Sequence, residues 1–79
     1  MTNLEIYNNA FAEVFGVDVS ELGEDFTAEK VDGWDSMRKL NLMNLLEDEF
    51  SIMMEPMDMI AFTSYETGKS ILAKYDIVL

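Results

Sequence analysis

Apolar residues recur at helical spacing in two stretches of this chain, and the long stretch between them has no such pattern. In the first, Leu4, Tyr7, Phe11 and Val14 fall on one stripe, widened by Ala10 and Phe15. This predicts a helix over Thr2–Val17. Thr2 followed by Glu5 is a capping-box signature at its start, and Gly16 stops it. In the second, Met37, Leu40, Met43, Leu46 and Phe50 form one continuous face with Leu42 and Leu45 beside it, predicting a helix over Ser36–Phe50. From Asp18 to Trp34, acidic and small residues dominate. Leu22, Phe26 and Val31 are isolated there and read as pins holding a long loop to the core. A loop of this length inside a small domain is usually functional.

Beyond Phe50, Pro56 interrupts any continuing helix, and Asp58–Phe62 leaves room for only a short one. Thr63 with Glu66 predicts the cap of a last helix carrying Tyr65, Ile71, Leu72 and Tyr75. Gly68 inside it should cost about 1 kcal/mol relative to alanine, so another element approaches there or the position is a neutral surface site. The expectation is an all-α fold: a single domain over residues 1–79, built as a four-helix bundle with one long crossover connection and a short third helix.

Composition narrows the chemistry. The chain has no cysteine and no histidine, which removes thiolate metal sites, disulfides and the commonest general base. Sixteen acidic residues against five basic ones give a net charge of −11. Such a field repels nucleic acid and anionic membranes and favours docking onto basic protein surfaces. With 49% hydrophobic residues the chain can still fold alone, as a monomer, so disorder is not expected. No stretch approaches the roughly 20 apolar residues of a membrane span. The N-terminus carries no basic segment followed by a long apolar run, so a cytoplasmic setting is expected.

The most informative string is Gly33-Trp34-Asp35-Ser36-Met37, where the acidic loop enters the second helix. Glycine permits a turn, aspartate favours a helix N-terminus, and serine falls on the first turn. A hydroxyl there sits beside unpaired N–H groups and the positive end of the helix dipole, a good seat for a phosphoester. A serine in this position can equally be a plain cap.

These residues resemble the acyl carrier protein family, which includes the peptidyl carrier domains. Members carry an Asp-Ser-Leu motif at this junction; here it reads Asp35-Ser36-Met37, with methionine keeping leucine's volume and apolarity. The likeness extends over Leu40-Asn41-Leu42, Leu46-Glu47-Asp48-Glu49-Phe50, Phe50-Ser51-Ile52 and Phe62-Thr63-Ser64-Tyr65. The resemblance implies an acyl-carrier-type bundle. It implies that a phosphopantetheinyl transferase attaches 4′-phosphopantetheine from coenzyme A to Ser36, with Asp35 and Met37 flanking the site. The chain would then be a carrier, not an enzyme, passing an acyl, aminoacyl or peptidyl cargo among synthases, transferases or ligases. It also implies docking through the second helix, with Glu47, Asp48 and Glu49 as an acidic patch facing the partner.

Three positions depart from the family pattern: Arg38 and Lys39 are basic where acidic or neutral residues are usual, and Asn41 stands where glutamate is common. They point to a dedicated partner. Lys39, four residues after Asp35, is expected to pair with that carboxylate; alternatively it or Arg38 neutralises a phosphodiester. Met53, Met54, Met57 and Met59 read as core filler or as a deformable wall beside a cargo. Trp34 reads as a packing residue.

Three readings come from other classes. Asp18, Ser20, Gly23 and Glu29 match positions 1, 3, 6 and 12 of an EF-hand loop, but Leu22 occupies a ligand position and Asp25 an apolar one. Ser36 as a nucleophile would need a base; Lys39 is the one nearby, and a strongly acidic surface keeps its proton on. A bundle that only binds partners, without a cofactor, remains as the third alternative.

Overall fold

The computed structural model describes residues 1–79 and is all-helical, with four helices, no strand, and a short 3-10 turn. Helix α1 spans Asn3–Phe15, capped by Thr2 in a full capping box with Glu5 and ended by Gly16 in the left-handed conformation (φ 65°). It buries Tyr7, Ala10 and Phe11, whereas Leu4, expected on the apolar stripe, is exposed. Helix α2 spans Ser36–Phe50 and ends on Ser51 with φ 54°.

The buried side of α2 keeps Met43 and Leu46 of the expected face but shifts toward Leu42. Leu42, Met43 and Leu46 are buried, while Met37 and Leu40 are 71% and 54% exposed. Apolar residues occupy so much of α2's circumference that packing on α1, not periodicity, decides which stripe is covered.

The segment 16–35 is better ordered than a structureless loop. Asp18 caps a 3-10 turn at Val19–Glu21 in a second capping box, which holds its carboxyl below the usual range through the hydrogen bonds from Ser20. Phe26 is buried, and Leu22, Val31 and Trp34 pack on the core at its edge. An isolated antiparallel bridge joins Thr27 to Ser64. Ala28 N–H donates to Thr63 O at 2.8 Å and Tyr65 N–H to Phe26 O at 2.9 Å. The crossover is therefore stitched to the start of the last helix.

Helix α3 covers Pro56–Ala61, with Pro56 opening the helix because its missing N–H is one that has no helical partner anyway. Helix α4 covers Tyr65–Ala73. Its cap is Ser64 with Thr67, one residue beyond the predicted Thr63–Glu66 pair. The shift follows from the bridge at Ser64, which holds that residue extended. Tyr75 lies past the helix end and packs half-buried. Gly68 is buried against Tyr7 and Phe62, so close approach, not a neutral surface, accounts for it.

Candidate functional site

The turn before α2 is made by Trp34 N–H donating to Val31 O and Asp35 N–H to Gly33 O, both at 3.0 Å. Gly33 does not use a left-handed backbone; Gly16 is the glycine that does. Trp34 lies over Phe15, with ring centroids 5.1 Å apart, and also against Phe11 and Phe26. It packs, as its sequence context suggested, and this fixes the direction in which the chain enters α2.

Asp35 is the N-cap. Its Oδ1 accepts from Arg38 N–H at 2.8 Å and its carbonyl from Lys39 N–H at 2.9 Å. Of the helix's four unpaired leading amides, those of Ser36 and Met37 therefore remain without a protein acceptor. Ser36 is the first helical residue, and its hydroxyl is exposed and engaged by no protein group. Because Asp35 does the capping, Ser36 is not needed for it. An exposed hydroxyl beside two free N–H groups at the positive end of a 15-residue helix suits an anionic ester.

The basic pair is arranged otherwise than expected. Arg38, not Lys39, pairs with Asp35: its Nη1 lies 3.0 Å from Oδ2 and 3.3 Å from Gly33 O. A long side chain on a helix leans toward the N-terminus, which brings Arg38 back over the cap and offsets its unfavourable place in the first turn. Lys39 faces α3 and reaches Ile60 O at 3.4 Å. Partial burial lowers its pKa. Neither cation hydrogen-bonds the Ser36 hydroxyl, although Lys39 lines the groove beside it.

The acidic end of α2 is also divided. Glu47 is half-buried, and its Oε2 accepts from Met54 N–H at 2.8 Å, tying down the α2–α3 connection. Asp48, Glu49 and Asn41 are exposed.

Beside Ser36 lies an open groove of about 250 Å³ lined by Ser36, Lys39, Leu40, Met43, Met59 and Ile60. Of the clustered methionines, Met59 contributes to this wall and Met54 to the core, while Met53 and Met57 are exposed. Ile60 and Leu40 carry no motif of their own that marks them for this site. The signal available was their position, one apolar residue on each of two helices flanking the Ser36 turn.

No protein-family model, curated protein or solved structure matches this chain. The residues aligned with an EF-hand loop do not converge: Asp18 and Glu21 cap the 3-10 turn, and Asp25 pairs with Lys30 at 2.9 Å. No group of three or more acidic side chains gathers around one point. Nor is any helix long and apolar enough to cross a membrane.

Proposed function

We propose that the chain is an acyl carrier protein, with an acyl-carrier-type arrangement of its four helices and Ser36 as the attachment point of 4′-phosphopantetheine. The observation that carries this reading is the exposed, uncommitted hydroxyl of Ser36 on the first turn of α2, with capping assigned to Asp35. Two free amides adjoin it for a phosphodiester, and an apolar groove opens next to it for a cargo. When bound, the cofactor supplies a thiol at the end of a flexible arm, on which cargo is held as a thioester. The chain's own residues position the ester: Asp35 fixes the helix start, Met37 presents an apolar neighbour, and Leu40, Met43, Met59 and Ile60 offer shelter from water.

Loading is a group transfer. The Ser36 oxygen bonds to the phosphorus of coenzyme A's phosphopantetheinyl group, the pyrophosphate P–O bond breaks, adenosine 3′,5′-bisphosphate leaves, and the hydroxyl proton passes to the transferase. Recognition by synthases, acyltransferases or ligases would use Asp48 and Glu49 as the free acids of α2. Arg38 and Lys39 would disfavour partners built for an all-acidic helix. Incubation with coenzyme A and a promiscuous phosphopantetheinyl transferase should add one cofactor mass, and Ser36→Ala should add none. An unmodified wild type across several such transferases rules the proposal out.

A further inference from the structure

Helix α3 is seated mainly by polar ties. Among its six residues, Met57 and Ile60 are 73% and 68% exposed, Met59 is half-buried, and the one buried side chain is Asp58, at 6% exposure. A carboxylate that far out of water must be fully partnered, and it is. Asp58 Oδ1 meets Lys74 Nζ at 2.6 Å, and Oδ2 accepts from Tyr75 Oη at 2.6 Å. The same Tyr75 oxygen accepts from Glu55 N–H at 2.8 Å, at an α3 start whose cap residue offers no side-chain hydrogen bond. Both partners come from the turn that follows α4. At the other end, Lys39 reaches from α2 to Ile60 O.

The front of α3 is a wall of the groove beside Ser36, through Met59 and Ile60. The back of α3 is where Asp58 joins it to the chain's C-terminal turn. The flanking anchors Met54 and Phe62 are buried in the core on either side of α3.

We infer that Asp58, with Lys74 and Tyr75, is a latch that holds α3 to the C-terminal turn and so in its place beside α2, and that releasing it opens the groove beside Ser36 while the rest of the bundle stays folded. Asp58 is thus a positioning residue for that groove, acting from the side opposite Ser36. The seating of α3 stands on the contacts alone; its meaning for a cargo rests on the carrier reading. A partner or cargo that competes for Lys74 or Tyr75, or that spreads Met59 from Met43, would act on the same latch.

The test uses the unmodified protein and two variants, Asp58→Asn and the milder Tyr75→Phe, which removes one hydroxyl and keeps the ring. Amide hydrogen exchange should accelerate about tenfold or more at residues 57–62 and much less in α1 and α2, since a lost charge-assisted bond lowers the free energy of local opening. Because the chain has no cysteine, groove access can be read directly. A thiol introduced by Met43→Cys should label faster in the Asp58→Asn background, and one introduced by Ala10→Cys between α1 and α2 should not. Unchanged exchange in α3, or acceleration of every helix in step, overturns the latch. The exchange measurement needs no cofactor, so loss of the carrier reading, shown by an unmodified Ser36, would leave the latch standing and the reverse also holds.

Discussion

Replacing Gly68 by alanine tests the packing argument through the sign of its effect. On a free helix face the change should stabilise by about 1 kcal/mol, because glycine is the poorer helix former. Here the added methyl would lie 2.7 Å from Phe62 Cε1 and closer still to Phe62 Cζ and Tyr7 Oη. Both rings are fully buried, and Phe11 packs edge-on to Tyr7 and stacks on Phe62, with centroids 5.0 and 6.2 Å away, so neither has free space to swing into. Tyr7 also donates a buried hydrogen bond to Tyr65 O at 2.7 Å, and burial pushes its phenol far above the ordinary range, keeping it a donor. Overpacking costs about 1–3 kcal/mol, and displacing the Tyr7 hydroxyl from its acceptor adds about 1–3 kcal/mol. After the propensity gain, the net loss is about 1–5 kcal/mol. For a domain this small, that lowers the melting temperature by roughly 4–40 °C. Thermal and urea unfolding followed by far-UV circular dichroism measure it. A Gly68→Ala protein as stable as wild type, or more so, would refute the claim that α4 is packed this tightly on α1 and Phe62.

Two further outcomes follow from the site and the latch. Asp35→Ala should cost about 1 kcal/mol through loss of the cap, whereas Ser36→Ala should fall within about 0.5 kcal/mol of wild type; equal losses in urea unfolding would mean that the serine shares the capping. The Asp58 carboxyl is held below its ordinary value of 3.8, first by the Lys74 hydrogen bond and then by Tyr75. A depressed carboxyl contributes stability that is present above the unfolded pKa and lost as pH falls through the folded one. Lys74 and Tyr75 are both raised, from 10.5 and 10.0, so they do not titrate in that acid window. With the neighbouring Glu55 replaced by Gln in both proteins, the stability gap between the Asp58 protein and its Asp58→Asn variant should be constant near neutrality and close in acid. A gap as wide in acid as at neutral pH contradicts the assignment.

Much of the chain's local structure is legible in its residues, because capping and termination are short-range. Thr2 with Glu5 and Gly16 bound α1, and Asp35 with the Arg38 amide opens α2, through contacts three or four residues apart. The Ser36 junction is legible for the same reason: a helix start is written in the few residues that satisfy its first amides. Other features depend on what packs where. Seven apolar residues spread around α2 leave its buried stripe undetermined until α1 covers Leu42, Met43 and Leu46, which turns Met37 and Leu40 outward beside Ser36. Arg38 and Lys39 both fall within reach of Asp35 by spacing, and only the placement of α3 draws Lys39 away to Ile60. Nothing near Asp58 in the chain marks it for burial, because its partners Lys74 and Tyr75 lie 16 and 17 residues on and reach it only in the fold. Gly68 is ambiguous in the sequence because its reason lies in the rings of Tyr7 and Phe62, brought to it only by the fold.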